Sequence, residues 1–311
     1  MRKVVTLTMN PAIDVVVELD AFVPDAVNKA WRSRSFCGGK GLNVALVLSL
    51  LGVRASAAGL LGADHGERFR DFCAGRGIEF LFDAIPGETR TNIKLAVDGR
   101  PATDINLPGP AVTADAVGKV SGRLLALARP GDVFILSGSL PPGAPAGLYA
   151  ELITGLRARN AEVCLDASGG ALALGLRAGP NLAKPNREEL LAVSTPMAGG
   201  ADAVAAAAKV WIGAGAGALA VSLGADGALW ASADETFRAA PGAVKAVNMI
   251  GAGDAFLAGL VYGGLRGWDS PRRLRFAVGL SAHWVEKMER MTLDRERVDK
   301  LADSIELFEA T

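Results

Sequence analysis

Histidine and cysteine are scarce: two of the first and three of the second in 311 residues. Two histidines do not build a zinc centre with an open catalytic position, and three cysteines do not form a disulfide framework. Cys37, Cys73 and Cys164 read as ordinary buried thiols, and a reducing cytoplasm is the expected compartment. Neither sign of charge is in surplus, since Lys+Arg and Asp+Glu both number 33. That balance excludes the basic face a nucleic-acid binder needs and a polybasic membrane-surface patch. Long hydrophobic runs are missing too. The nearest, Leu42 to Val53, is interrupted by Asn43 and Ser49. It falls short of the ~18 apolar residues of a membrane span and suits a buried helix. The apolar stretch after Met1-Arg2-Lys3 stops at Asn10-Pro11 and meets Asp14, too soon for a secretory signal.

Hydrophobic residues make up 50% of the chain, enough for a large core. The length fits two domains, or one large α/β domain carrying an insertion. Glycine is abundant at 38 residues, without the Gly-X-Y period of collagen. The glycines come in clusters, so each cluster asks for a local reason.

Short apolar strands alternate with helical patterns over most of the chain. Strands are expected at Val4–Met9, Asp132–Leu136, Glu162–Leu165 and Ala218–Ser222, and Ala55–Leu61 is an apolar run ending at Gly62. Helices are expected at Gly41–Leu51, Arg68–Ala74, Ala114–Ala128, Leu148–Arg157, Ala203–Ile212 (with Asp202 as N-cap), Gly253–Leu265, Pro271–Lys287 and Asp294–Phe308. Such alternation implies an α/β fold, a parallel sheet with helices on both faces, whose ligands bind at the carboxyl ends of strands. Ser137-Gly138-Ser139 and Asp166 fall at such ends. Residues 14–34 and 89–106 break the pattern, alternating as β-structure with no helix between. They are expected to form a small lid sheet beside a core of residues 1–13, 35–88 and 107–311.

Several motifs can carry chemistry. Gly251-Ala252-Gly253-Asp254 opens a helix with small residues. Its backbone N–H groups and the helix dipole suit an anion, and a first-turn carboxylate can take a proton from an attacking hydroxyl. It also reads as a plain helix start. Gly38-Gly39-Lys40-Gly41-Leu42-Asn43 is a second glycine loop, matching neither a P-loop nor a dinucleotide fingerprint. It is either a ligand rest or a tight turn. Arg90, Asn92 and Lys94 share one face of a lid strand, as a phosphate grip or a solvated face. Lys184-Pro185-Asn186-Arg187-Glu188-Glu189 links a strand to a helix. Asn186 and Glu189 can orient magnesium-bound water, or simply cap that helix. Ser222 to Gly227 can hold a nucleotide or be a hairpin turn. Ser137-Gly138-Ser139 lacks the Gly-x-Ser-x-Gly of a hydrolase. His65 and His283 read as structural, and the tryptophans are too scattered for a stacking platform.

Taken in order, these motifs resemble the carbohydrate kinases of the ribokinase type, the family named for the minor bacterial phosphofructokinase. The resemblance runs from Thr6–Asp14 through 38–43, Thr89–Lys94, Asn106–Pro110, Ser137–Gly143, Lys184–Glu189 and Ser222–Gly227 to Gly251–Asp254. It is strongest to the sugar-phosphate branch, which includes 1-phosphofructokinase and tagatose-6-phosphate kinase. It implies a ribokinase-like core with a β-sheet lid, and phosphoryl transfer from ATP with Mg2+ to a sugar-phosphate hydroxyl. Fructose 1-phosphate is the first expectation. Tagatose 6-phosphate and fructose 6-phosphate are alternatives; other sugars or nucleosides are more distant. By the resemblance Asp254 is the base, with Gly251, Ala252 and Gly253 stabilising the transferred group. Asp14, Gly39, Asn43 and Asn92 fall to the sugar, and Arg90 with Lys40 to its phosphate. Lys184, Asn186 and Glu189 fall to the ATP–magnesium network, the last two through water, and Ser222, Gly224 and Gly227 to ATP. Met249 departs from the threonine frequent two residues before such a turn, where a monovalent cation or hydroxyl contact lies. His283 departs from the small residues usual near the adenine pocket. A homodimer through the lid is a further expectation, since sheet edges need covering.

Overall fold

A computed structural model describes all residues except 1, 98–102, 195–202, 243, 248, 287–291 and 310–311. The elements run β1 (Val4–Thr8), β2 (Ala12–Leu19), β3 (Arg32–Gly38), α1 (Lys40–Leu50), β4 (Ala55–Gly62), α2 (Gly66–Ala74), β5 (Glu79–Ile85), β6 (Arg90–Val97), β7 (Thr103–Asn106), α3 (Ala114–Leu127), β8 (Val133–Ser137) and α4 (Leu148–Arg157). They continue with β9 (Glu162–Asp166), α5 (Gly169–Arg177), β10 (Leu182–Ala183), α6 (Arg187–Ala192), α7 (Ala203–Gly213), β11 (Ala218–Ser222), β12 (Ala228–Ser232), β13 (Thr236–Ala240), α8 (Ala252–Leu265), α9 (Ser270–Val285), α10 (Arg295–Asp303) and β14 (Glu306–Glu309).

The main sheet has ten strands in the order β14-β13-β12-β11-β10-β9-β8-β1-β4-β5. From β11 to β5 every pairing is parallel; β12, β13 and β14 add on antiparallel. Side chains of a strand point alternately to its two faces, and β1 shows the result. Val5 and Leu7 enter the core under α3, α4 and α7, while Val4 enters the core under α1, α8 and α9. Each buried Val, Leu or Phe contributes roughly 1.5–3 kcal/mol. Helices therefore cover both faces, as the strand–helix alternation implies.

The second sheet, in the order β3-β2-β6-β7, is built from the two segments that broke the pattern. Val15 pairs with Ile93, and Asp14 lies directly across from Asn92. This sheet reaches further than residues 14–34, since β2 begins at Ala12 and β3 runs on to Gly38. Arg90, Asn92 and Lys94 are not a solvated face: Asn92 and Lys94 are buried and Arg90 is half-buried.

The helix expected over Asp294–Phe308 is corrected. It ends at Asp303, and Glu306–Glu309 pairs with β13 as an edge strand. The backbone hydrogen bonds offered by that edge override local propensity. The Asp202 cap and the Lys287 end of the α9 helix lie outside the described residues. All three cysteines are free and buried. Among the described residues, no helix is long and apolar enough to cross a membrane.

Candidate active site

Because β1, β8, β9, β10 and β11 are parallel neighbours, their carboxyl ends share one edge. That edge carries Asn10, Ser137, Asp166, Lys184 and Ser222 side by side. Two helices start over it. The first, α1, has Gly39 as N-cap at φ 130, which leaves it without a side-chain cap. Thr8 of β1 substitutes: its hydroxyl accepts the Leu42 N–H at 3.0 Å. A Cβ on Gly41 would sit 2.6 Å from that hydroxyl and 2.7 Å from the Leu7 carbonyl oxygen. Glycine is what allows the helix end to approach the strand.

The second, α8, has Gly251 as N-cap in the left-handed region at φ 77. A side chain there would also lie 3.1 Å from the Trp284 indole nitrogen, which donates to the Ile250 carbonyl at 3.2 Å. The Ala252 N–H is committed to the Met249 carbonyl at 3.3 Å. The N–H groups of Gly253 and Asp254 follow, among those at a helix start that have no intrahelical acceptor. They and the helix dipole make an anion-binding end. Met249 is 66% exposed, so the turn uses its carbonyl and not its side chain.

Asp254 is buried in the first turn of α8, and the Asn43 amide donates to its Oδ2 at 2.7 Å. Burial, reinforced by the nearby negative charge of Asp166, pushes its carboxyl up to about 6. Lys40, Lys184 and the Asn43 hydrogen bond hold it from rising further.

Asp166 is the centre of the charge network. Lys40 Nζ lies 3.1 Å and Lys184 Nζ 3.3 Å from its Oδ1. Burial alone pushes Asp166 up, but the two ammonium groups outweigh it and keep the carboxyl below its ordinary value. Lys40 is held above its ordinary value, chiefly by Asp166. A Cβ on Gly253 would lie 3.6 Å from Lys184 Nζ, which puts that ammonium beside the α8 N-terminus.

A second cluster sits on the lid side. Asn92 donates to Asp14 Oδ1 at 3.0 Å. The Arg90 guanidinium donates to the Asn10 carbonyl from Nε (3.2 Å) and Nη2 (2.9 Å), and to the Leu107 carbonyl from Nη1 (3.3 Å). Among the described residues, the buried amide oxygens of Asn10 and Asn92 have no hydrogen-bond partner. The Gly38-Gly39-Lys40 turn joins the clusters: a Cβ on Gly38 would lie 2.5 Å from Asp14 Oδ2, while Lys40 reaches Asp166.

Asn186 and Glu189 form a complete capping box on α6. Asn186 Oδ1 accepts the Glu189 N–H at 2.7 Å, and Glu189 Oε2 accepts the Asn186 N–H at 2.9 Å. Glu189 Oε1 still faces the site, 3.9 Å from Lys40 Nζ. The Ser222–Gly227 turn is tied alongside by the Ser222 N–H, which donates to the Pro185 carbonyl at 3.1 Å. It is the β11–β12 hairpin, with Gly224 and Gly227 at positive φ.

Lys40 stands with Asp166 and Glu189, whereas Arg90 stands with Asn10 across the turn. Sequence reading assigned no role to Asp166, Thr8 or Asn10; the signal for Asp166 was its place at a strand's carboxyl end. His283 is buried, and its Nε2 accepts the Asp294 N–H at 3.3 Å, tying α9 to the start of α10. His65 pairs with Asp64 at 3.3 Å.

A buried carboxylate in the first turn of a glycine-opened helix, with one lysine from the start of α1 and one from the end of β10 beside it, suits a phosphotransferase. Residues 4–295 match the model described as pfkB family carbohydrate kinase, and the chain belongs to that family. It is 36% identical over 98% of its length to a 1-phosphofructokinase of Vibrio cholerae, 96% of which is covered. It is 34% identical to the 1-phosphofructokinase of Escherichia coli K12, with 98% of each chain covered. Among solved structures it resembles phosphofructokinase-2 from Escherichia coli in complex with fructose-6-phosphate, at TM-score 0.89 and 25% identity, covering 97% of this chain and 99% of that one. A ribokinase from Thermotoga maritima shares the fold, at TM-score 0.80 and 20% identity over 97% of this chain and 100% of that one.

Proposed function

We propose that this kinase transfers the γ-phosphoryl group of Mg-ATP to fructose 1-phosphate, giving fructose 1,6-bisphosphate and ADP. One observation carries the chemistry: the buried Asp254 carboxylate, held by Asn43 at 2.7 Å in the first turn of the glycine-opened α8. Asp254 takes the proton of the accepting hydroxyl as its oxygen bonds to phosphorus. The bond from phosphorus to the ADP oxygen breaks, and ADP leaves with the electron pair. Pushed up to about 6, Asp254 is a better base than an ordinary carboxylate yet ionised at neutral pH. The N–H groups of Gly253 and Asp254, with Lys184, face the charge that spreads over the transferred oxygens. Ser222, Gly224 and Gly227 take the nucleotide.

The donor set fits a magnesium ion that arrives with the nucleotide. Among the described residues no group of three or more His, Cys, Asp or Glu is placed to hold a metal ion. Glu189 Oε1, directed at the site, suits an ion that keeps most of its water. When bound, that ion neutralises phosphate charge.

On the substrate side, Asp14, Gly39, Asn43 and Asn92 hold the sugar, and Arg90 turns its fork from the Asn10 carbonyl to the substrate phosphate. The choice of fructose 1-phosphate is supported by relatives of that name at 33–39% identity over most of the chain. The test is ADP release from Mg-ATP with fructose 1-phosphate, fructose 6-phosphate, tagatose 6-phosphate and fructose in parallel, with Asp254→Asn as control. Preference for fructose 1-phosphate, lost in the variant, supports the proposal; turnover of unphosphorylated fructose alone overturns it.

The lid also suits a second copy of this chain. Val27, Trp31 and Phe36 are exposed on or just before β3, whose outer edge is paired by no described strand. A monomeric mass in solution, unchanged in Trp31→Glu, rejects the homodimer.

A further inference from the structure

We infer that Asp166 is a positioning residue for phosphoryl transfer: one of its oxygens clamps Lys40 and Lys184 as a cation pair over the transfer path. The inference rests on the kinase reading above and adds a residue and an assignment to it.

Three observations carry it. Lys40 belongs to the start of α1 and Lys184 to the end of β10, yet both ammonium groups lie on the same atom, Asp166 Oδ1, at 3.1 and 3.3 Å. Asp166 itself is fully buried, and Ser137 Oγ donates to its other oxygen at 3.3 Å. Finally, Lys184 Nζ lies beside the backbone of Gly253 at the α8 N-terminus. Two ammonium groups this close repel each other. A shared buried carboxylate offsets that repulsion, and its low-dielectric surroundings strengthen both pairs. Each lysine keeps further N–H groups for phosphoryl oxygens, because an ammonium has three donors. The clamp thus fixes the donors before the substrates arrive, as electrostatic stabilisation of a transition state requires. Lys40 acts on the transferred group and not on the substrate's own phosphate, where Arg90 sits.

The experiment is steady-state kinetics of Asp166→Asn and Lys40→Met beside the wild type. For Asp166→Asn, kcat is expected to fall by ~10²–10³-fold, the scale of losing a preorganised donor. Its acid limb is expected at lower pH than that of the wild type. Asp254 is faced by Asp166, Lys40, Lys184 and Asn43, and removing the one negative neighbour favours its ionised form. A purely structural defect does not shift that limb. Lys40→Met, at a half-exposed position, is expected to lower kcat and leave the KM for sugar phosphate unchanged. Three results overturn the inference: an Asp166→Asn enzyme with wild-type kcat and pH limb, full rescue of that variant by raised magnesium, or a Lys40→Met enzyme altered only in sugar-phosphate KM. If Asp166→Asn does not fold, Lys40→Met decides. A wild type without kinase activity instead rejects the function itself.

Discussion

Asn43 and Asp254 are 211 residues apart in the chain, and the amide of one donates to the carboxylate of the other at 2.7 Å. The pair joins the starts of α1 and α8, the two helices whose ends close the strand edge. The amide favours the charged carboxylate, while burial and Asp166 favour the neutral acid.

The pH dependence follows from that balance. Activity is expected to rise with pH through about 6 as Asp254 ionises. Asn43→Leu removes a hydrogen bond to the charged form, so the acid limb moves to higher pH. The kcat/KM profile between pH 5 and 8 for both proteins checks this; an unmoved limb contradicts it.

Asp254→Asn is expected to be inactive and more stable. The carboxyl is pushed up from 3.8 to about 6, so the folded state binds its proton more tightly than the unfolded chain does. Stability from this group is present below about pH 4 and is lost as pH rises to about 6. At neutral pH the buried charge costs on the order of 2–3 kcal/mol. The neutral amide avoids that cost. Thermal unfolding at pH 7.5 reads a higher Tm for the variant, and the gap narrows toward pH 4.

Gly251→Ala is expected to lose both stability and rate. The residue holds φ 77, where a Cβ costs about 1–2 kcal/mol, and the new methyl presses on Trp284 at 3.1 Å. The N–H groups of the α8 start shift with the turn. Tm and kcat measured together check this, with the KM for sugar phosphate less affected.

Arg90→Lys is expected to raise the sugar-phosphate KM at least ~10-fold with little change in kcat, since an ammonium cannot reproduce the planar fork. Arg90 uses Nε and Nη2 on a single carbonyl, that of Asn10. Equal KM values for the two proteins reject a phosphate role for Arg90.

Asn186→Ala removes half of the α6 capping box, at a cost of about 1 kcal/mol. The backbone N–H of residue 186 still holds Glu189 Oε2 in the variant, so a rise in the KM for Mg-ATP reads the loss of the Asn186 amide itself. Urea unfolding and ATP titration separate the two effects.

Much of the fold was legible because its causes are local. Leu148–Arg157 and Ala218–Ser222 were readable to the residue from hydrophobic periodicity. The lid strands were readable because their alternation ran without helical spacing between them. Glu306–Glu309 was not: its strand state comes from the open edge of β13, and nothing within those four residues announces it.

The sequence by itself determined the strand–helix order and the glycine-opened helix starts at Gly39 and Gly251, because backbone sterics act over a few residues. It also placed an acid, two lysines and an arginine at strand ends and turns. Only the tertiary structure decided which of them meet. Lys40 reaches Asp166, and the Asp254 carboxyl is pushed up to about 6, because pairing partners and burial depend on parallel strands brought together from distant parts of the chain.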